Sequence, residues 1–201
     1  MVNSKAKAEK DLETLKCVSE RYGLEINTEK SNIMVFNRKE DFNQIGGIKT
    51  TESMKYLEVY MSNERNSYRE HIDKQMIKAK KLENATYSMI ESSCNRVIVG
   101  KAYWKNICVP AILYGLNTAK VTEKDIQKLQ VIENNVYRKI LRAPSYAPTG
   151  TLRSEIGSAT MKARIMKGKI LYWKSIQDGD NELMKEIIKN EICALNIDVE
   201  K

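Results

Sequence analysis

Histidine occurs once in these 201 residues, at His71, and no two of the four cysteines (Cys17, Cys94, Cys108, Cys193) have C-x-x-C spacing. That excludes zinc fingers, knuckles and ribbons in their usual forms, and any Ser-His-Asp or Cys-His chemistry would rest on His71 alone. The scattered cysteines suit a reducing compartment. Proline (3) and glycine (9) are scarce, while 42% of residues are hydrophobic, so the chain is neither low-complexity nor disordered. Long apolar runs are missing too. The most apolar stretch, Ile107 to Leu116, is about half the roughly 20 residues a membrane-spanning helix needs. Met1 to Lys10 is polar and charged, unlike a signal peptide. The expectation is a soluble intracellular protein with no membrane partner.

What is present is positive charge, unevenly placed. The 34 Lys and Arg exceed the 26 Asp and Glu, for a net +8. Residues 1–62 are neutral overall, residues 63–143 carry +7 and residues 144–201 carry +1. Within the last segment Lys162, Arg164, Lys167, Lys169 and Lys174 follow one another with no acid between them. Such an excess admits nucleic acid, an anionic membrane surface or an acidic partner. A solvated helix face would carry the same pattern.

Periodicity divides the chain. Ala8, Leu12, Leu15, Val18 and Tyr22 recur at three- and four-residue steps and predict a helix over 4–22, capped by Asn3 or Ser4 and ended by Gly23. Leu24 to Ile26 and Asn32 to Phe36 read as extended, and Gly46-Gly47 as a turn between Ile45 and Ile48. Lys55 to Met61 alternates, with Leu57, Val59 and Met61 on one face and Tyr56, Glu58 and Tyr60 on the other, as a strand does. From Arg65 the pattern is helical. Ile72, Met76, Ala79, Leu82, Thr86 and Ile90 form one stripe; Asn95 to Leu116 is a second helical run that Pro110 should kink or break. Thr122, with Asp125 three residues on, caps a third helix whose stripe is Ile126, Leu129, Ile132 or Glu133, Val136 and Ile140. A turn of helix from Thr151 to Ile156, a helix over Thr160 to Ile176 and a last one from Asn181 to about Leu195 complete the reading. The fold class is α+β, mostly α: a small antiparallel sheet with one helix, then a helical bundle. The segments are 1–62, 63–143 and 144–201. A sheet this small leaves open edges, which predicts self-association.

Four stretches carry a resemblance. Gly23-Leu24-Glu25-Ile26-Asn27-Thr28-Glu29-Lys30-Ser31, followed by Asn32 to Phe36, resembles the palm motif after the catalytic aspartates in reverse transcriptases of non-long-terminal-repeat (LINE-type) retrotransposons. Lys55-Tyr56-Leu57-Glu58-Val59-Tyr60-Met61 resembles their primer grip, Lys-Tyr-Leu-Gly-hydrophobic. Val109 to Gly115 resembles the Pro-x-Leu-Leu-Tyr-Gly segment beyond it, and Leu129-Gln130-x-x-Glu133-x-x-x-Tyr137-Arg138-x-Ile140-Leu141 resembles the next helix. The order and spacing cover nearly the whole chain. The resemblance implies part of a palm over 1–62, a thumb-like helical region over 63–143 and a helical extension over 144–201. It also implies RNA-directed DNA polymerase ancestry. The family's aromatic-Ala-Asp-Asp motif would lie just before Met1, so no catalytic residue and no metal ligand is expected here. Mg²⁺ belongs to the intact family enzyme, which holds it on those carboxylates. On this reading the chain alone is inactive, its polymerase half is a missing N-terminal partner, and what remains is weak, non-specific binding of RNA or an RNA–DNA duplex. Glu58 departs from the family's glycine and would set a carboxylate beside the primer path.

The nucleic-acid candidates follow. Lys30 matches the family's lysine near the incoming nucleotide's phosphates, against a plain surface lysine. Tyr56, with Tyr60, could stack on a base or ribose, against a half-buried sheet face. Lys74, Lys78 and Lys81 share one helix face opposite the apolar stripe, where a thumb would meet phosphates. Arg138, Lys139 and Arg142 form a second patch; Arg164 and Lys167, with Lys174, form a third. Asn27 reads as a turn cap, Trp104 and Trp173 as packing residues, His71 as a surface or capping residue, and the methionines as core. The alternative function is a helical interaction or scaffold module with no nucleic-acid role.

Overall fold

A computed structural model of the chain describes residues 4–36, 43–64 and 67–186. It is mostly helical with a little sheet, an α+β chain. Two compact units divide it, residues 1–73 and 74–201.

The first unit opens with α1 (Lys5–Arg21). The Ser4 hydroxyl accepts from the Lys7 N–H and Gly23 (φ +69) lies just past the end, as the sequence predicts. Its apolar stripe is not a core face: no residue of α1 is buried, and Leu15, Val18 and Tyr22 are exposed. The helix instead lies across the turn between β2 (Gln44–Ile45) and β3 (Ile48–Thr51). Gly46 there has φ +56, and a Cβ on it would stand 2.9 Å from Leu12 Cδ1. Gly46 and Gly47 both take positive φ and close the antiparallel β2–β3 hairpin, which buries Ile45 and Ile48.

Two expectations about the sheet are corrected. β1 (Ile33–Met34) pairs with β3 in parallel, Ile33 beside Thr50, so this three-stranded sheet, ordered β1-β3-β2, is mixed rather than antiparallel. Hairpin closure occupies one edge of β3 with β2; β1 takes the other edge and runs the same way as β3. Second, Lys55 to Met61 is not one strand. It folds back on itself as β4 (Ser53–Tyr56) and β5 (Val59–Ser62), with Tyr56 paired to Val59 across Leu57-Glu58. Both turn residues have positive φ, +46 and +66, the backbone of a two-residue hairpin turn that glycine and asparagine favour. Neither is present, so alternation alone reads as a strand.

In the second unit the stripes are largely buried, with Met76 and Leu82 of the α2 stripe half-buried. α2 (Arg69–Glu91), whose first turn belongs to the first unit, buries Ile72, Ala79, Thr86 and Ile90. α3 (Arg96–Tyr103) starts from an Asn95 side-chain cap on the Ile98 N–H. Pro110 does not end the helical run. The helix widens into a π turn at Trp104–Cys108 and continues as α4 (Val109–Leu113). The wider turn accommodates a residue that lacks an N–H and whose ring crowds the preceding turn. α5 (Glu123–Leu141) begins at the Thr122 cap and buries Ile126, Leu129, Ile132, Glu133, Val136 and Ile140. α6 (Thr149–Ile156) ends at Gly157 (φ +66). α7 (Met161–Asp178) is capped by Thr160. Gly100 sits where α3 comes closest to its neighbours: a Cβ there would lie 2.7 Å from Ile90 and 2.8 Å from Ile140.

Three side-chain expectations are corrected. His71 is buried, not a surface or capping residue, because it shares the buried side of α2 with Ile72 and Gln75. Trp173 is 46% exposed, unlike the buried Trp104, because it lies on the side of α7 away from Met161 and Ile165. Met161 is core, but Met89 and Met166 are exposed. The last helix expected from Asn181 begins with the Asn181 side chain accepting from the Met184 N–H; its continuation past residue 186 lies outside the described residues.

Candidate nucleic-acid interface

The ten nominated residues fall into four settings. In the first unit, Lys30 follows the turn capped by Asn27, whose Oδ1 accepts from the Glu29 and Lys30 N–H groups at 3.1 and 3.0 Å. The Lys30 side chain is exposed. Tyr56 is exposed at the end of β4, beside the Leu57-Glu58 turn. Glu58 Oε1 lies 2.7 Å from Lys55 Nζ, so a carboxylate at the hairpin tip neutralises the neighbouring lysine. Lys55 is held above its ordinary pKa, chiefly by that bond to Glu58.

On α2, Lys74, Lys78 and Lys81 occupy the side opposite the buried stripe, as spacing predicts. Lys78 and Lys81 are exposed and form no ion pair with an acid among the described residues. The neighbouring Lys80 is engaged, 2.9 Å from the buried Glu83, which also accepts from the Tyr87 hydroxyl at 2.7 Å. Burial first, then Glu83, push the Tyr87 phenol well up.

The second patch lies at the C-terminal end of α5 and is largely satisfied internally. Lys139 Nζ is 3.2 Å from Glu91 and sits 5.5 Å above the Tyr87 ring centroid. Arg138 reaches Asn135 Oδ1 at 3.4 Å, while its buried Nε has no hydrogen-bond partner among the described residues. Arg142 is exposed and ends α5 in the left-handed region, φ +51. This patch touches α2 at Tyr87 and Glu91. Lys78 and Tyr87, nine residues apart, project from opposite sides of α2 at about 100° per residue, whereas Lys81 lies within about 80° of Glu91 around the helix.

The third patch changes character most. Arg164 points inward: Nη1 lies 2.5 Å from Glu133 Oε1, with side-chain exposures of 17% and 0%. Its other nitrogen donates to the Tyr137 hydroxyl and to Ser158. Glu133 also accepts from the Trp104 indole (3.3 Å), Gln130 Nε2 (3.0 Å) and the Tyr137 hydroxyl (2.6 Å). Gln130 Oε1 in turn accepts the Met161 N–H at 2.8 Å. Burial opposes the charge on Arg164, but Glu133 and Tyr137 together hold its pKa above the ordinary value. Burial, then Glu133, push the Tyr137 phenol up to about 12. Lys167 remains exposed, while Lys162 pairs with Glu123 and Lys169 caps the Ala119 carbonyl at 2.8 Å.

Composition and patches alone miss this network. Its sequence signal is a glutamate on an apolar stripe, with Gln130 one turn before it and Tyr137 one turn after it on the same side. Gln130, Glu133 and Tyr137 are the polar positions of the fourth resembling stretch, and here they join α5 to α7 and to Trp104 rather than face solvent. Among the described residues no three His, Cys, Asp or Glu side chains are placed to hold a metal ion, and no helix is long and apolar enough to cross a membrane.

No protein-family model, no curated protein and no solved structure matches the chain.

Proposed function

We propose that the chain is a piece of a reverse transcriptase of the non-long-terminal-repeat retrotransposon type, comprising part of the palm, the thumb and the helical region beyond. Its remaining activity is weak, sequence-independent binding of RNA or an RNA–DNA duplex. The observation that carries this reading is the row Lys74, Lys78, Lys81 along the outer side of α2, where Lys78 and Lys81 are exposed and without acidic partners among the described residues. Arg164, Lys139 and Arg138 have internal partners and leave the interface; Arg142 and Lys167 remain as outlying contacts.

Two lysines, Lys78 and Lys81, contacting phosphates imply a salt dependence with slope of about −1.8, or roughly 12-fold weaker binding between 50 and 200 mM salt. Filter binding to an RNA–DNA duplex at those two concentrations tests this. Replacing Lys78 and Lys81 by Glu should abolish binding; no binding by the unaltered chain at about 50 mM salt refutes the proposal. The described residues supply no carboxylate cluster of the kind two-metal phosphoryl transfer uses. Primer extension with Mg²⁺ should therefore stay at background, and extension above it would overturn the view of the site.

A second reading, a helical interaction module without a nucleic-acid role, rests on one observation: two of the three α5 cations, Arg138 and Lys139, are engaged within the protein. Retained binding of a protein partner with no nucleic-acid affinity would select it.

A further inference from the structure

The connection between α5 and α6 carries two side chains that the fold does not use. Tyr146 is 86% exposed, the highest value among the exposed large hydrophobic residues described. Arg142, four positions before it, is exposed as well. Neither side chain has a hydrogen bond or an ion pair among the described residues.

The backbone holds both in place. Pro144 and Pro148 fix their own φ, and the Ala147 N–H closes a turn on the Pro144 carbonyl at 3.1 Å, with Ser145 and Tyr146 at its centre. Just before it, the Ala143 N–H donates to the Arg138 carbonyl at 2.9 Å and the Arg142 N–H to the Lys139 carbonyl at 3.4 Å. Those two bonds are the Schellman closure of a helix, whose left-handed residue is ordinarily glycine. Here it is Arg142, at φ +51. An arginine in that conformation costs backbone energy that glycine would avoid, and its unpaired guanidinium returns nothing to the fold. Backbone strain of this kind, kept under an exposed charged side chain, points to a contact made outside the chain.

The surroundings say which contact. The other residues between Arg142 and Thr149 are alanine, serine and proline, so the Tyr146 ring completes no apolar groove. A protein partner binds such an anchor by enclosing it in a desolvated pocket. A nucleic-acid base needs only the face of the ring. The adjoining guanidinium selects an anion, and the net charge of +8 favours a polyanion over an isolated one.

We propose that Tyr146 and Arg142 form a contact for single-stranded nucleic acid, in which Tyr146 stacks on an unpaired base and Arg142 meets a phosphate of the same strand. The contact rests on the nucleic-acid reading for its class of partner, but it uses neither Lys78 nor Lys81. Bases inside a duplex are already stacked and leave no face for a protruding ring, so this contact favours a single strand over an RNA–DNA duplex.

Anisotropy of a fluorescent oligouridylate of about ten nucleotides, titrated with the full chain at about 50 mM salt, tests this. The unaltered chain should bind it. Tyr146→Ala should weaken binding about 5- to 150-fold, the loss of one base–aromatic stack, and Tyr146→Phe, which keeps the ring face, should restore it. Arg142→Gly should also weaken binding, and because it relaxes the φ of +51 that loss cannot come from a disrupted helix end. No binding of the single strand by the unaltered chain, or unchanged affinity in Tyr146→Ala or in Arg142→Gly, overturns the proposal. The RNA–DNA duplex, titrated alongside, separates the two claims. A chain that binds the single strand through Tyr146 and binds no duplex upholds this contact and refutes the α2 interface. A duplex held through Lys78 and Lys81, with single-strand affinity indifferent to Tyr146, does the reverse.

Discussion

The two units differ in how they use the same raw materials. The second unit buries its apolar stripes against one another and ties α5, α7 and Trp104 together through a fully buried glutamate. The first unit has a well-capped helix with no buried residue and two small sheets. Among the described residues its buried apolar side chains are Ile45, Ile48 and Ile72. The difference shows that a regular amphipathic pattern fixes a helix locally but says nothing of whether its apolar side is covered. α1 and α7 each have exposed apolar residues, and only in α7 is the opposite side buried.

The sharpest way to break the comparison is to attack the network that distinguishes the second unit. Arg164→Ala leaves Glu133 charged, buried and without its cation, and should cost about 3–5 kcal/mol in urea unfolding. Adding Glu133→Gln to that variant should recover a large part, because the amide keeps hydrogen bonds without a buried charge. No recovery would show that packing of the Arg164 stem, rather than the ion pair, carries the loss. Next in size is an alkaline effect. The Tyr137 phenol titrates near pH 10 in the unfolded chain and at about 12 in the folded one. Between those values the unfolded chain has released a proton that the folded chain keeps, so stability falls as pH rises. The contribution is whole below about pH 10 and declines by roughly 2–3 kcal/mol on reaching pH 12. Unfolding measured at pH 8, 10 and 11.5 should show that slope, and Tyr137→Phe should reduce it, leaving the part that the similarly raised Tyr87 phenol contributes.

The legibility of the chain follows the same division. The helices and the caps at Ser4, Thr122 and Asn181 were readable, as were the helix starts near Asn95 and Thr160, because a capping side chain and the 3.6-residue period act over one or two turns of local chain. The Leu57-Glu58 hairpin was not, since neither turn residue is one that favours positive φ and the flanks alternate like a single strand. The parallel pairing of β1 with β3 was hidden because pairing partners are set by distant chain. Within the candidate interface, Lys78 and Lys81 lie where spacing puts them, but the inward turn of Arg164 depends on Glu133, thirty-one positions away, which no local pattern reveals.

A smaller effect probes how tightly the second unit is closed. Gly100→Ala gains helix propensity worth about 1 kcal/mol, yet its methyl would meet Ile90 and Ile140 at under 3 Å. The clash should win and leave a net loss of roughly 1–2 kcal/mol. A neutral outcome would mean that the α3 crossing can open. In the first unit the strain runs the other way. Glu58→Gly relieves a φ of +66 on a non-glycine residue and gives up only an exposed ion pair, so it should stabilise by about 0.5–1 kcal/mol in the same unfolding assay.

The smallest predicted effect is also the one that most directly tests the contrast. Leu15 and Val18 on α1 look in sequence like core positions, but both are exposed. Replacing each by Gln, which keeps a side chain at both positions, should change stability by no more than about 0.5 kcal/mol, as for surface sites in general. The same exchange at Ile140, buried on α5, should cost several times more, since truncating a buried isoleucine alone costs about 2–5 kcal/mol. Should the α1 changes instead cost as much as the one on α5, the apolar side of α1 is covered in solution. The gap between the units would then lie in which surfaces find partners and not in how well each unit packs within itself.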